Sequence, residues 1–357
     1  MREVRTIAIG IGSSGYEAVV GSRLLPTIGE RVASVLSGAR CAVIADTNTA
    51  ALFGEVVVGS LAAAGFHPIM ITVPVGENAK SLTQAGAVCD EMAAAGFDRT
   101  SFVVALGGGV VGDLGGFAAA IYHRGIPFVQ VPTTLLAQVD SSIGGKTAVN
   151  TAAGKNLLGA VHQPALVLAD VDTLLTLPPR ELHQGFAEIV KHAIIADASL
   201  FDVISNFDRS DFAGLVATNI EIKAAIAARD EHDTTRARAI LNFGHTVGHA
   251  IERAAGYGTL LHGEAVSLGI VAACAISISR AGLSEAEREK VITTLRSFNL
   301  PTQLPSEFPR ELIMPALLAD KKFERGQVRF VVTPMLGSAR LTNDVSLEDI
   351  RAAVDSL

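Results

Sequence analysis

The stretch that decides the fold is SFVVALGGGVVGDLGGFAAAIY, residues 101–122. The apolar run at 101–106 predicts a buried strand, the glycines at 107–109 predict a tight turn, and the following run predicts a helix. A strand, a glycine turn and a helix N-terminus together present backbone N–H groups to a phosphate. We therefore expect an α/β domain with an anion site at this turn. The alternative is a tight turn that binds no ligand.

Polar residues follow other predicted strands of the same domain. The predicted strand RCAVIADTNTA ends in a polar stretch that contains Asp46 and Asn48, and Glu77 and Lys80 come after PIMITVPVG. The carboxyl ends of parallel strands are where a doubly wound sheet binds its ligands. Gly107, Gly109 and Gly112 satisfy GxGxxG, but no acidic residue occurs at 126–136, where a Rossmann fingerprint would carry one. Asp46 is therefore the better candidate for an adenosine ribose.

Two glycine-supported lysines follow the glycine turn. Lys146 lies in GGK and Lys155 in GKN, after the strand-like run FVQV and the residues PTT. Two such lysines beside a diphosphate-type turn indicate a site for more than one anion.

The pattern changes after LPP at 177–179. Helical periodicity covers 180–197, 215–230, 245–255, 263–281, 284–298 and 309–322, and only RFVVTP with ARLT predicts a small hairpin. We therefore expect an α/β dinucleotide-binding domain at 1–177, a mostly helical metal-binding domain at 178–357, and a site in the cleft between them.

Three histidines and a glutamate in the helical half could hold a metal. His245 and His249 are four residues apart in NFGHTVGH, and His262 lies in LHGEA. The spacing suits a metal, or one ligand plus an acid/base residue, and Thr246 excludes the HExxH pattern. Glu188, His245 and His262 would form an open catalytic zinc set. Isolated structural histidines are the alternative.

Further charged residues could surround a polyanionic substrate. Glu188 and Lys191 share a helix face, for which an exposed salt bridge is the alternative. Arg238 would lie along the face of Asn242 and His245 if that helix begins early enough. The other cations are Arg124, Lys223, Lys321 and Lys322, for which solvated surface positions are the alternative.

Bulk composition excludes several classes of protein. With 357 residues, 49% hydrophobic and 18% charged, the chain should fold into compact domains. A net charge of −7 argues against a nucleic-acid partner. Cys41, Cys89 and Cys274 have no CxxC spacing, which favours free thiols in a reducing compartment. No signal peptide or long apolar run is evident, so we expect a cytoplasmic protein without a membrane partner.

The chain resembles the 3-dehydroquinate synthase family of the sugar phosphate cyclase superfamily. The matching stretches are GGGVVGDLGGFAAA, RGIPFVQVPTTLLAQVDSSIGGKTAVN, GKNLLGA, TLPPREL, GFAEIVKHA, LNFGHTVGHAIE, LHGEAVSLG and DKK. The resemblance implies a carbon–oxygen lyase of the shikimate pathway that converts 3-deoxy-D-arabino-heptulosonate 7-phosphate to 3-dehydroquinate. It also implies NAD-mediated transient oxidation, phosphate elimination with the leaving phosphate taking the proton, re-reduction and aldol closure.

The resemblance also implies roles for individual residues. Glu188, His245 and His262 would bind one zinc or cobalt ion, and His249 beside them would lie near the phosphate or act in proton relay. Lys146, Asn156, Asn242 and Lys321 or Lys322 would hold phosphate and hydroxyl groups, Lys223 and Arg238 the carboxylate end, and Lys191 and Asp140 hydroxyl groups. Arg124 would reach the partner's site in a homodimer. NAD would contact Asp46, Asn48, Glu77, Lys80, Gly108, Gly109, Val110, Val111, Gly112, Asp113, Thr133, Thr134, Asp140, Ser141, Lys146, Lys155, Thr173, Leu174, Thr176 and Leu177.

Three alternatives stay open at the level of sequence. A paralogous cyclase would share the glycine and metal motifs, although the form of LNFGHTVGHAIE favours dehydroquinate synthase. An NAD- and metal-dependent polyol dehydrogenase would release NADH and would have little use for so many cations. A non-catalytic nucleotide sensor would not need the whole metal and lysine set.

Overall fold

The computed structural model describes residues 4–11, 15–208, 211–231, 234–256, 258–318, 323–324 and 327–357. The expected substrate lysines Lys321 and Lys322 lie outside the described residues. The chain divides into two compact units, one of residues 1–177 and 212–232, the other of residues 178–211 and 233–357. The first break falls at the expected boundary, whereas 212–232, expected in the second domain, packs with the first unit.

The first unit is built on a seven-stranded sheet and a separate hairpin. The strands are β1 (Arg5–Ile9), β2 (Tyr16–Gly21), β3 (Arg40–Asp46), β4 (His67–Val73), β5 (Phe102–Gly107), β6 (Phe128–Pro132), β7 (Lys146–Thr151), β8 (Gly154–Val161) and β9 (Leu166–Asp170). The order is β1-β2-β9-β6-β5-β3-β4, with β7 and β8 paired as the hairpin. β1 and β2 are antiparallel, and all other neighbours in the sheet are parallel.

Helices cover both faces of this sheet. They are α1 (Ile28–Ala33), α2 (Thr47–Thr49), α3 (Glu55–Ala63), α4 (Leu82–Ala94) and α5 (Gly109–Ile121). Alternate residues of β5 enter different cores: Val104 and Leu106 pack in one, and Val103 and Ala105 in the other. A parallel strand covered on both sides is continuously apolar, and every residue of β5 is buried. The predicted α/β domain is confirmed.

The second unit is mostly helical. It contains α6 (Pro179–Ile195), α7 (Leu200–Ser205), α9 (His245–Ala255), α10 (His262–Ala281), α11 (Glu285–Ser297), α12 (Ile313–Leu318) and α13 (Leu347–Asp355), while α8 (Phe212–Ala227) packs in the first unit. Short strands β10 (Phe323–Glu324), β11 (Gln327–Val328), β12 (Phe330–Met335) and β13 (Ser338–Thr342) form two hairpins. The hairpin predicted from RFVVTP and ARLT is β12–β13.

Helix α10 is the central element of this unit. It packs against α6, α9, α11, α13 and β12. Within the described part of the chain it is the one helix long and apolar enough to cross a membrane, but 67% of its apolar window is buried inside the fold. Because most of this window is buried inside the fold, α10 is a core helix of the second unit. It also contains Cys274, which is a free buried thiol like Cys41, while the free thiol of Cys89 is half-buried.

Candidate metal centre and dinucleotide-binding edge

The sheet has its topological switch point between β3 and β5. The chain runs from β3 outward to β4 and then returns to place β5 on the other side of β3. In doubly wound sheets ligands bind at the carboxyl ends of the two strands that flank such a reversal. Here those ends are Asp46 and Gly107.

The residues predicted to bind the cofactor follow the carboxyl ends of neighbouring parallel strands. Asp46 and Asn48 stand at the end of β3; Glu77 and Lys80 follow β4; Gly108, Gly109, Val110, Val111, Gly112 and Asp113 follow β5; Thr133 and Thr134 follow β6; Thr173, Leu174, Thr176 and Leu177 follow β9. One edge of the sheet therefore collects segments that are more than a hundred residues apart in the chain.

The glycine turn combines close packing with backbone N–H groups that precede the helical ladder. The backbone N–H of Gly112 makes the first helical bond of α5, to the carbonyl of Gly108, so the N–H groups of residues 109–111 precede the helical ladder. A Cβ at Gly112 would lie 2.7 Å from Oε1 of Gln130 on β6. A glycine at this position therefore allows α5 to pack closely on the sheet. Val111 is buried in the core, so it can offer a ligand its backbone alone.

Lys80 connects two parts of the predicted cofactor site. Its ammonium donates to Oδ2 of Asp113 and to Oδ1 of Asn156, the latter at 2.5 Å. Lys80 is buried, and burial raises the pKa of Asp113 while the nearby Lys80 charge lowers it, with a net increase. The ion pair thus orients Asn156, which has a left-handed backbone with φ +56°.

Asn150 is a residue of this network that sequence reasoning missed. Its side-chain nitrogen donates to Oε1 of Glu77 at 2.7 Å, and its side-chain oxygen accepts from the backbone nitrogen of Asn156 at 3.0 Å. Its own backbone nitrogen donates to the carbonyl of Lys80 at 2.8 Å. Asn150 therefore joins the hairpin β7–β8 to the segment after β4. Because the partners are remote in sequence, no spacing rule could have identified it.

Gln138 is a second missed residue, and it fixes the far side of the same edge. Its side-chain nitrogen lies within 3.0–3.2 Å of the carbonyls of Pro132 and Asp170 and of Oγ1 of Thr173. Gln138 is fully buried, and the Thr173 side chain is buried with it. The segment after β9 is thereby tied to the end of β6.

Asp46 caps a helix. Its Oδ1 accepts from the backbone nitrogens of Asn48 at 2.9 Å and Thr49 at 3.0 Å, so it holds the first turn after β3.

The predicted substrate residues of this unit form one ion pair, of a buried lysine with a half-buried aspartate, and three exposed positions. Lys223 on α8 makes an ion pair with Asp140 at 2.9 Å. Lys146 is exposed and follows Gly144 and Gly145, both left-handed at φ +96° and +69°, a turn that glycine adopts without strain. Asn156 is exposed in β8. Arg124 is exposed and left-handed, at φ +72°.

In the second unit, helix α6 buries an acid and an amine together. Glu188 and Lys191 are 0% and 1% exposed, and Oε2 of Glu188 lies 2.5 Å from Nζ of Lys191. The alternative of an exposed salt bridge is therefore wrong. Because a buried carboxylate needs compensating partners, Lys191 holds one oxygen of Glu188 and fixes the direction of the other.

Two imidazoles converge on that other oxygen. Nε2 of His245 and Nε2 of His262 each lie 3.5 Å from Oε1 of Glu188. Two ligand atoms that are each about 2.1 Å from a tetrahedral zinc ion are about 3.4 Å apart. The carboxylate and both nitrogens therefore fit one divalent cation by donor type and by separation.

Each of these imidazoles has an oxygen at its other nitrogen. Nδ1 of His245 lies 3.1 Å from the carbonyl of Phe243, and Nδ1 of His262 lies 3.5 Å from Oε2 of Glu252. In the metal-free site burial disfavours the His262 cation, but its bonds to Glu188 and Glu252 prevail and raise the pKa of His262 to about 9. A cation on Nε2 would replace the proton directed at Glu188, while the proton on Nδ1 would stay directed at Glu252.

His249 belongs to the same cluster. The ligand nitrogens of His245, His249 and His262 all lie within 4.8 Å of one another. The rings of His245 and His249 are 5.2 Å apart and nearly perpendicular, as expected for positions i and i+4 on α9. His249 is thus a further nitrogen donor beside the three predicted ligands.

Arg238 and Asn242 do not share a helix with His245. They lie in a 3₁₀ helix, Ala237–Asn242, and α9 begins at His245 after Gly244, which has φ +77°. A Cβ at Gly244 would lie 2.9 Å from the backbone nitrogen of Ile270, so close packing on α10 requires glycine there. The condition for placing Arg238 on the face of His245, a helix that begins before Arg238, is therefore not met, and the helix predicted at 245–255 is α9. Arg238 is buried and Asn242 is half-buried.

This fold is that of the sugar phosphate cyclases. The chain is similar to 2-epi-5-epi-valiolone synthase from Streptomyces hygroscopicus, solved with NAD⁺ and Zn²⁺ bound, with a TM-score of 0.86 and 32% identity over 97% of this chain and 98% of that chain.

The chain belongs to the 3-dehydroquinate synthase family. The family models for the N-terminal and C-terminal parts of 3-dehydroquinate synthase match residues 70–184 and 185–323 of the sequence. The chain is 46% identical to 3-dehydroquinate synthase from Symbiobacterium thermophilum, covering 97% of this chain and 99% of the relative. It is 42% identical to that from Desulforamulus reducens, covering 98% and 99%.

Proposed function

We propose that this chain is a lyase that converts 3-deoxy-D-arabino-heptulosonate 7-phosphate to 3-dehydroquinate and phosphate. The observation that carries the proposal is the convergence of Oε1 of Glu188 with Nε2 of His245 and His262, in a chain of the 3-dehydroquinate synthase family. NAD, when bound, takes a hydride from the substrate and returns it, and a zinc or cobalt ion, when bound, polarises the substrate oxygens.

In this proposal the first unit binds the dinucleotide at the sheet edge that includes Asp46, Gly107 and Lys80. The N–H groups that open α5 would bind the pyrophosphate, since a helix N-terminus favours anions. Thr133, Thr134, Ser141, Lys155 and the segment 173–177 would surround the rest. This assignment is supported by the position of these segments at the switch point of the sheet.

The substrate would be held by cations and amides. Lys146, Asn156, Asn242 and Lys321 would bind phosphate and hydroxyl groups, and Lys223 and Arg238 the carboxylate. Lys191 and Asp140 would bind hydroxyl groups. Lys191 has a second role in this scheme, because its contact with Glu188 orients the carboxylate toward the two histidines.

We further propose a cytoplasmic homodimer in which Arg124 serves the partner's site. Support comes from the exposed side chain of Arg124 and from the left-handed backbone of His123 and Arg124, with φ of +49° and +72°. Such backbone conformations cost free energy in residues other than glycine, and they cluster at functional sites.

The deciding experiment incubates the protein with the heptulosonate phosphate, catalytic NAD and Zn²⁺ while phosphate and NADH are followed together. We expect stoichiometric phosphate without lasting NADH, and 3-dehydroquinate as the product. NADH that accumulates from a simple polyol would identify a dehydrogenase. A cyclitol product from a different sugar phosphate would identify a paralogous cyclase.

The matched variants are Glu188→Gln and Glu289→Gln. The first keeps the shape of the side chain but removes the charge, and we expect it to abolish both metal binding and phosphate release. Glu289 is exposed on α11, and its variant should behave like the wild type. Full activity of Glu188→Gln without bound metal would refute the assignment.

A further inference from the structure

We infer that Glu252 is a positioning residue that fixes the tautomer and ring orientation of His262 for metal binding. The inference rests on the proposed metal site and not on the identity of the substrate. Glu252 is the last residue of the stretch LNFGHTVGHAIE, which carries part of the family resemblance, but it was not among the predicted site residues.

The ring of His262 lies between two carboxylates. Nε2 is 3.5 Å from Oε1 of Glu188, and Nδ1 is 3.5 Å from Oε2 of Glu252. A metal-binding histidine generally donates its second N–H to an oxygen, which sets the tautomer and raises the basicity of the ligating nitrogen. With the proton on Nδ1 directed at Glu252, Nε2 becomes the ligand that faces Glu188.

His245 shows the same arrangement with a different acceptor. Its Nδ1 lies 3.1 Å from the carbonyl of Phe243, and its Nε2 lies 3.5 Å from the same oxygen of Glu188. Both predicted histidine ligands therefore have Nδ1 at an oxygen and Nε2 at Glu188. The acceptor at Nδ1 of His245 is a backbone carbonyl, whereas the acceptor at Nδ1 of His262 is the side chain of Glu252.

The antiparallel packing of α9 and α10 brings Glu252 to His262. A Cβ at Gly244 would meet the backbone of Ile270, and a Cβ at Gly248 would meet the backbone of Ala265 and Val266. Four residues further along α9, Glu252 reaches the first residue of α10. Two glycines that admit close helix contact thus set the register that delivers the carboxylate.

Burial makes this contact specific. Glu252 is 4% exposed, so its carboxylate is largely withdrawn from water and must be satisfied within the unit. His249 lies three residues earlier on α9, and its ring is 5.9 Å from that of His262. Both His249 and Glu252 therefore lie on the side of α9 that faces His262. An outer carboxylate in this position acts on metal affinity without binding the metal.

The test compares Glu252→Leu and Glu252→Gln in the full-length protein. Zn²⁺ affinity is measured by chelator competition, and the melting temperature of the metal-free proteins is recorded. The leucine variant should bind Zn²⁺ about 10- to 100-fold more weakly, as for other outer-shell partners. The glutamine variant should lie nearer the wild type, because its amide oxygen can still accept from Nδ1–H.

The outcomes separate this inference from the proposed function. Wild-type Zn²⁺ affinity in the leucine variant, or a glutamine variant as weak as leucine, would overturn the positioning role. ¹⁵N-histidine NMR of the Zn²⁺-loaded wild type should find the His262 proton on Nδ1, and a proton on Nε2 would also overturn it. A chain that binds Zn²⁺ as expected but lacks cyclase activity would refute the proposed function alone.

Discussion

The backbone N–H of Gly263 donates to the side-chain oxygen of Gln184 at 3.2 Å. The contact joins the first turn of α10 to α6, one turn before Glu188. It therefore fixes the position of His262 along α6 relative to the Glu188 carboxylate. Arg180 reinforces the junction, because its guanidinium donates to both oxygens of Glu264, at 2.6 and 2.7 Å, and Glu264 in turn accepts from the backbone nitrogen of Leu261. The proposed metal site thus depends on a helix junction that contributes no ligand of its own.

Gly263→Ala should disturb this junction and the metal site together. Its Cβ would lie 2.1 Å from the carbonyl oxygen of Gln184, so α6 and α10 must separate. We expect a loss of about 1–3 kcal/mol in the free energy of unfolding and weaker Zn²⁺ binding, measured by urea titration and chelator competition. Gly59→Ala is the control: it lies inside α3 with open space around its Cβ, and should gain about 0.5–1 kcal/mol. Unchanged Zn²⁺ affinity in Gly263→Ala would contradict the role of the junction.

Lys80→Met should lower the free energy of unfolding more than the double variant Lys80→Met/Asp113→Asn does. Removing the ammonium leaves the half-buried carboxylate of Asp113 without its cation, which should cost less than the roughly 3–5 kcal/mol typical of a fully buried ion pair. Asparagine at 113 removes that charge and should recover much of the loss. Urea unfolding of the single and double variants measures this. Equal stabilities of the two would show that the ion pair does not set the cost.

Asp113 should also leave a signature in the pH dependence of stability. Burial raises the pKa of Asp113 above its ordinary value of 3.8. Because the folded state holds the proton more tightly, the wild type should gain stability relative to Asp113→Asn as the pH falls through the raised pKa, and the gain should be complete below 3.8. Urea titrations of both proteins across this range test the sign. A relative loss of stability on acidification would contradict it.

Asn150→Ala should weaken dinucleotide binding. The change removes the side-chain bonds to Glu77 and Asn156 and loosens the hairpin β7–β8 from the cofactor edge. Each lost bond leaves a polar group unsatisfied at about 1–3 kcal/mol, so NADH affinity by calorimetry should fall about tenfold or more. Asn206→Ala, at the end of α7 in the other unit, is the control. Equal NADH affinity in both variants would exclude a role for Asn150.

Arg124→Ala tests the proposed sharing of sites between subunits. Arg124→Ala and Glu188→Gln should each be inactive alone. In random mixed dimers, half of the molecules carry one intact site, so about a quarter of wild-type activity should return. No recovery after verified subunit exchange would place Arg124 in its own subunit's site.

The sequence by itself determined the local elements and their chemistry. The apolar runs and the glycine turn predict β5 and α5 because those features depend on neighbours a few residues away. The i, i+4 spacing of His245 and His249 likewise predicts two imidazoles on one side of a helix. Residue types and spacing also predicted the set of Glu188, His245 and His262 as metal ligands, and the family resemblance supplied the reaction.

Tertiary structure alone decided how remote residues meet. Asn150 reaches Glu77 across 73 residues of sequence, and Glu252 reaches His262 through the close packing of α9 on α10. Gly244 adopts a left-handed backbone where it packs against α10, and this separates the 3₁₀ helix that contains Arg238 and Asn242 from α9. Such contacts depend on the register between elements, which is set by packing and close glycine approaches and leaves no periodic trace in the chain.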